Sequence, residues 1–373
     1  MNSPRKLLLI SLSAGAGHVR AAEAIRETAK KEYPRLAVEH IDMMDYVTLP
    51  MKSAIMDSYD LMIKRLPELW GFLYKKINEP GMFEAYERVT RAMKRMNSHA
   101  LYRYIQKSRP DHIICTHSLP ADVISQGREQ FNLAMPVSLV VTDYDMHALW
   151  FVPDTAYYFV GTPKIAWKLE HRGVEKEHIV ESGVPIDPVF YQKKNIAKLK
   201  QHYRLPLDQK IILLLAGGQG SAKSDEILAL LANLTTPATI IAIAGKNKKL
   251  AERLRAVKLP PTIKRQVVGW TDRIDEYMCM ADVIITKPGG ATTTECVTLH
   301  KPIIVTQPIP GQEEYNTQYI QEHGYGVVAR STEDLLYYAA REPYLLAPGY
   351  TLEKQKTLSR RGGAEIILKK IFY

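Results

Sequence analysis

Six short runs of Val, Ile, Leu and aromatic residues occupy the first half of this 373-residue chain, and six more occupy the second. Almost every run gives way to a turn and then a helix-patterned segment. In the first half they are residues 5–12, 36–41, 112–117, 137–143, 155–161 and 178–185; in the second they are 210–218, 238–247, 265–270, 281–290, 301–311 and 325–329. Near-continuous apolar strands separated by helices mean sheets covered on both faces, because parallel neighbours need a crossover long enough to hold a helix. Between the two series lies "GVPIDPVF" (183–190), whose Gly183, Pro185 and Pro188 read as a linker. The expected organisation is therefore α/β, with one doubly wound, Rossmann-like domain over 1–184 and another over 185–351. A last helix within 352–373 would cross back onto the first domain.

One stretch breaks the rhythm. Residues 50–108 are helical, Met- and Tyr-rich, and place Met51, Ile55, Tyr59, Met62 and Leu66 on one face. "ELWGFLY" (68–74) adds Trp70, Phe72 and Tyr74, and between Arg88 and Pro110 there are seven basic residues and no acid. With a formal net charge of +10, the partners this implies are nucleic acid, anionic lipid or a phosphorylated substrate. No run approaches the roughly 18 apolar residues that cross a bilayer. Leu7–Ile10 is too short for a signal-peptide core. Cys115, Cys279 and Cys296 lack CxxC spacing, which argues against a zinc site or disulfide framework and for reduced thiols.

Open α/β sheets bind ligands beyond the carboxyl ends of their strands, and that is where the unusual residues fall. "SAGAGHVRAAEAI" (13–25) sets His18 where a small-residue turn meets a helix. "AGGQGSAKS" (216–224) nearly spells a nucleotide-hydrolase P-loop but has Ala222 where that loop needs Gly, so a Gly-rich turn approaching a diphosphate fits better. In "TKPGGATTTECVTLHKP" (286–302) a Pro-Gly-Gly turn leads into a helix whose first amides and threonines suit an anion. Glu295, one turn in, could accept two hydrogen bonds from ribose hydroxyls. Gln312, Glu313 and Asn316 follow the next strand, Asn247 follows "IAIAGK", and Val268, Gly269 and Trp270 end another strand where backbone groups could read a base edge.

Together these motifs resemble glycosyltransferase family 28, a group with the GT-B fold. The first domain resembles the monogalactosyldiacylglycerol synthases and processive diacylglycerol glycosyltransferases within it. "SAGAGHVRAAEAI" is similar to their Gly-His, Ala-rich opening, with Ala where many relatives have Gly. "TDYDMHALWFVPDTAYYFVGT" (142–162) resembles their Thr-Asp, His, Trp segment. The resemblance implies two Rossmann-like domains facing an interdomain cleft. Onto this sequence it carries Gly217, Gly218, Gly220 and Ser221 as the diphosphate turn, and Val268 and Gly269 as the segment beside the uracil. Pro288, Gly289, Gly290 and Thr292 become the second phosphate loop, Glu295 the ribose ligand, and Gln312, Glu313 and Asn316 the sugar-facing group.

The implied activity is inverting transfer of a hexosyl group from a UDP-sugar to diacylglycerol. His18 would be the base that takes the acceptor proton, kept neutral by the helix N-terminus, with Asp143 and His147 as rivals or partners. "DYD" (143–145) imitates a metal-binding DxD, but helix N-termini can neutralise a leaving diphosphate, so no metal or other cofactor is expected. Trp70, Phe72, Arg88, Arg91, Lys94, Arg95, His147 and Trp150 are the expected acceptor and membrane residues, with anionic lipids but no nucleic acid as partners. The chain would lie peripherally on the cytoplasmic face of the cell membrane. Rival readings are another lipid-linked acceptor, a UDP-sugar 2-epimerase of the same fold, and a non-catalytic UDP-sugar sensor.

Overall fold

The computed structural model describes residues 5–13, 15–96, 98–216, 223–341 and 362–373. It divides into two units. One comprises Met1–Pro188, Ile309–Tyr315 and Arg361–Tyr373; the other comprises Val189–Pro308 and Asn316–Arg360.

The first unit holds six parallel strands: β1 (Lys6–Ser11), β2 (Ala37–Asp42), β3 (His112–Cys115), β4 (Val137–Val140), β5 (Thr155–Val160) and β6 (Ile179–Glu181), ordered β2-β1-β3-β4-β5-β6. Its helices are α1 (Ala16–Glu32), α2 (Leu49–Arg65), α3 (Pro67–Ile77), α4 (Pro80–Met96), α5 (His99–Ser108), α6 (Ser118–Gly127) and α7 (Pro163–Glu170). The "LLLI" run of β1 is apolar throughout because it is buried on both faces. Leu8 and Ile10 pack with Leu101, Tyr102 and Ile124 on one side, and Leu7 and Leu9 with Ala22, Ile25 and Ala29 on the other. Alanines let α1 lie close to the sheet, and Gly15, at φ 143°, supplies the turn into it that a side chain would obstruct.

The second unit repeats the plan with β7 (Lys210–Leu215), β8 (Ala238–Ile243), β9 (Ile263–Val268), β10 (Val283–Thr286), β11 (Ile303–Val305) and β12 (Gly326–Val328), ordered β12-β11-β10-β7-β8-β9 and all parallel. Its helices are α8 (Ile196–His202), α9 (Ser224–Leu231), α10 (Lys248–Ala256), α11 (Ile274–Met280), α12 (Gly290–Thr298) and α14 (Thr332–Ala340); α13 (Gln312–Glu322) begins in the segment that belongs to the first unit. Each sheet thus has strand-order reversals of the kind that leave a crevice at the carboxyl edge.

Two further segments complete the first unit. Helix α15 (Gly363–Phe372) buries Ala364, Ile367 and Leu368 against the layer of Leu7, Leu9 and Ile25, whereas the expected helical residues 352–361 fall outside the described residues. Residues 309–315, which the sequence pattern assigned elsewhere, pack on α3. A Cβ at Gly71 would lie 2.7 Å from the Pro310 Cβ, so glycine is required there, and Lys75 pairs with Glu314 at 2.8 Å. The chain changes unit after Pro188, inside the "GVPIDPVF" segment.

Candidate active site

His18 sits in the first turn of α1, 7% exposed. Two strand ends fix it. Its Nδ1 lies 2.9 Å from the Thr116 carbonyl just beyond β3, and 3.0 Å from the Thr142 hydroxyl beyond β4. Thr116 also donates its hydroxyl to the His18 carbonyl at 2.9 Å. A carbonyl only accepts, so Nδ1 carries the ring proton and Nε2 is left with a lone pair. Burial pulls the imidazole down to about 4, partly opposed by the Thr116 hydrogen bond. The ring is therefore neutral at pH 7, and burial, more than the helix N-terminus, keeps it so.

A cavity of about 1090 Å³ opens beside this ring. Its walls include His18, Asp143 and Trp150 at the strand ends, Trp70, Tyr74 and Arg88 from α3 and α4, and His117, Asp122 and Gln126 around α6. The described part of the expected acceptor set thus converges, apart from two residues. Phe72 is 58% exposed on the outer face of α3 with Leu69, Leu73 and Met82 also exposed. His147 is 1% exposed and fully committed: its Nε2 donates to the Tyr74 carbonyl at 2.7 Å and its Nδ1 accepts the Leu149 amide at 3.2 Å. It anchors α3 to the loop after β4 and has no nitrogen left for a substrate. The side chains of Arg91, Lys94 and Arg95 fall outside the described residues.

Asp145 is likewise accounted for. It is buried and paired with Lys168 at 2.5 Å and Lys164 at 3.1 Å. Burial pushes its carboxyl up, but these lysines and the Met146 amide together bring it below the usual range. The DYD segment therefore lacks a second carboxylate for a cation.

His117 escaped the sequence reading. Its ring meets His18 edge-on at 4.5 Å between centroids, and both rings lie about 6 Å from Trp150 (6.2 and 5.9 Å). The available signal was "THSLP", a His at a strand end before a helix, the same placement as His18. Another histidine forms a Ser-His-Glu series: Ser11 Oγ is 2.8 Å from His40 Nε2, and His40 Nδ1 is 2.5 Å from Glu23. Ser11 is wholly buried, so this series ties β1, β2 and α1 together and offers no nucleophile to a substrate.

In the second unit, Pro288, Gly289 and Gly290 lead into α12 with Gly289 as N-cap, and no side chain caps the helix. Thr292 lies in its first turn. Thr293, in the next position, buries its hydroxyl without a hydrogen-bond partner among the described residues. Glu295, one turn on, is 2% exposed. Beyond β8 and β9 a second cavity of about 480 Å³ is lined by Gly245, Lys246, Lys248, Arg255, Gly269 and the exposed Trp270, next to Val268.

Asn247 Oδ1 accepts the Leu250 amide at 2.9 Å and caps α10 beside this cavity. Glu313 accepts the Ile309 amide at 2.7 Å, shaping the turn before α13. Asn316 is wholly buried, while the side chain of Gln312 and the turn Gly217, Gly218, Gly220 and Ser221 lie outside the described residues.

Comparison with known proteins agrees with this layout. A family model for monogalactosyldiacylglycerol (MGDG) synthase matches residues 18–186, beginning at the buried histidine. A second, for the glycosyltransferase family 28 C-terminal domain, matches 211–336. A processive diacylglycerol beta-glucosyltransferase of Bacillus subtilis strain 168 is 28% identical over 100% of this chain and 96% of its own length. Among solved structures, MurG of Acinetobacter baumannii superposes with a TM-score of 0.63 at 14% identity, covering 98% of this chain and 99% of that one. A UDP-GlcNAc 2-epimerase from Neisseria meningitidis also superposes, at 0.53 and 11% identity, over 98% and 99% of the two chains. A transferase and an epimerase share the fold, so the fold alone does not choose between them; the sequence matches over both units do. The chain thus has the GT-B fold, its first unit matching the MGDG-synthase model and its second the model of the family 28 C-terminal domain.

Proposed function

We propose that this chain transfers a hexosyl group from a UDP-sugar to the free hydroxyl of diacylglycerol, with inversion and with His18 as general base. The observation that carries this is the pinned tautomer: Thr116 holds the proton on Nδ1, so the Nε2 lone pair has no partner among the described residues beside a large cavity. Nε2 takes the hydroxyl proton as the acceptor oxygen bonds to the anomeric carbon, and the bond from that carbon to the diphosphate breaks, releasing UDP. Asp143, in the same cavity, supplies negative charge that offsets the imidazolium formed. On the donor side, the amides of α12 and the Thr293 hydroxyl take the diphosphate, Glu295 the ribose, and the cavity beside Gly269 and Trp270 the base. No step in this scheme calls for a metal.

No helix among the described residues is long and apolar enough to cross a membrane. The exposed Leu66, Leu69, Phe72, Leu73 and Met82 of the α2–α4 region, with Arg88 nearby in sequence, suit a protein lying on an anionic membrane surface. The three cysteines are buried as thiols, which fits a reducing compartment and so the cytoplasmic face.

The test is incubation with UDP-[14C]glucose, the donor suggested by the relatives' name, with and without dioleoylglycerol vesicles. Label should move to a lipid that requires the vesicles. Label in an altered, water-soluble sugar nucleotide would instead indicate epimerisation, and binding without conversion a sensor.

A further inference from the structure

The two histidines of the cavity have complementary tautomers. The Leu119 amide donates to Nδ1 of His117 at 3.0 Å, which caps α6 and leaves that nitrogen without a proton. The half-buried ring is neutral, held well below the usual histidine range by desolvation and then by the neighbouring His18. A neutral imidazole with its lone pair on Nδ1 carries its proton on Nε2. His18 is the mirror case, with its proton on Nδ1 facing Thr116 and a lone pair on Nε2. Each ring spends Nδ1 on a backbone group, and neither Nε2 has a hydrogen-bond partner among the described residues. Both rings line the same cavity, 4.5 Å apart and nearly perpendicular at 76°.

A diacylglycerol presents the matching pair of groups. Its free hydroxyl must give up a proton, and the carbon next to it carries an ester, whose oxygens only accept. We propose that His117 is an acceptor-binding residue whose Nε2–H donates to the ester oxygen adjacent to the attacking hydroxyl, aligning that hydroxyl with His18 Nε2. The pair acts as an acceptor-and-donor fork: His18 accepts from the reacting oxygen, and His117 donates to its neighbour. This rests on the assignment of diacylglycerol as acceptor. It gives His117 a task beyond capping α6, since the cap uses only Nδ1.

Two substitutions separate the tasks, because asparagine mimics the Nδ1 edge of histidine and glutamine the Nε2 edge. His117→Asn keeps an oxygen for the Leu119 amide and removes the Nε2–H. It should retain the parental Tm and the parental KM for UDP-glucose, while kcat/KM for dioleoylglycerol falls about ten- to a hundredfold, the loss expected for one hydrogen bond in a dry site. His117→Gln returns an N–H near the Nε2 position but vacates the cap. It should lower Tm by a few degrees yet recover most of the acceptor kcat/KM. Parental acceptor kinetics in His117→Asn would overturn the proposal and leave the ring as a cap. So would failure of His117→Gln to exceed His117→Asn, or a matching loss in the UDP-glucose KM. The parent protein, assayed alongside, reads the acceptor assignment itself: absence of lipid product there defeats that assignment before any variant is compared.

Discussion

At the scale of single residues, His18 combines a fixed tautomer with a depressed basicity, and each has a measurable consequence. His18→Gln keeps a polar side chain but cannot take the proton, so kcat should fall about 10²–10⁴-fold while UDP affinity, measured by calorimetry, holds. Since burial pulls the ring down to about 4, it stays neutral far below pH 6.5, and protonation removes the base only at lower pH. The kcat/KM profile, corrected for folded protein, should be flat from pH 8 to about 5.5; an acidic limb near 6.5 would mean a solvated base. Glu295→Gln conserves volume but weakens acceptance from ribose hydroxyls, and UDP binding should drop by about 1.5–3 kcal/mol. Unchanged affinity would remove Glu295 from the donor site. His18 was legible because Gly-His at a strand–helix turn is an unusual place for an imidazole. His117 and His147 were not, because a histidine's two nitrogens look alike in sequence, and only the hydrogen bonds show that one ring keeps an open edge and the other has none.

At the scale of elements, all twelve strands were legible from the strand–turn–helix rhythm: β3, β4, β8 and β10 are buried on both faces, whereas the edge strands β2, β6 and β9 are mostly half-buried and carry polar residues. Their limits were not, since the polar ends of the runs leave the sheet; β4 stops at Val140, which frees Thr142 and Asp143 to face His18 and the cavity. The helices α2–α4 are a different case. Their apolar residues divide between inward ones, such as Ile55 against the core, and outward ones, such as Phe72, and periodicity alone does not separate a core face from a membrane face. The outward set predicts that Phe72→Ser reduces co-sedimentation with anionic vesicles. Neutralising Arg88, Arg91, Lys94 and Arg95 should weaken it further, by roughly 1 kcal/mol for each residue near the surface, and high salt should reproduce only this second effect. Vesicle binding equal to the parent in both variants would return these helices to ordinary solvated surface.

At the scale of the whole molecule, buried neutral histidines make stability depend on pH. His18 and His112 both sit at about 4, against about 6.5 in the unfolded chain. The unfolded state then binds more protons between those values, so stability is complete above about pH 6.5 and is lost as pH falls towards 4. By pH 5 the loss is about 2 kcal/mol for each ring, enough to lower Tm visibly in scans at pH 7.5, 6 and 5. A Tm constant over that range would show that these rings are hydrated. The division into two similar units was legible from the repeated strand rhythm. The sequence also suggested the return of the last helix, but not that of 309–315, a short segment whose partners lie far away in sequence.

The placement of α15 bears on how the molecule is made. Ile367 and Leu368 finish the apolar layer behind β1 and α1, yet the entire second unit is translated between that layer and its closing piece. Leaving two such side chains out forfeits about 3–6 kcal/mol, which is comparable with the stability of a whole domain. On the ribosome, therefore, the second unit can consolidate first, while the helix bearing His18 waits for its backing. The unit that carries the cavity beside His18 is completed only after the other unit has been synthesised.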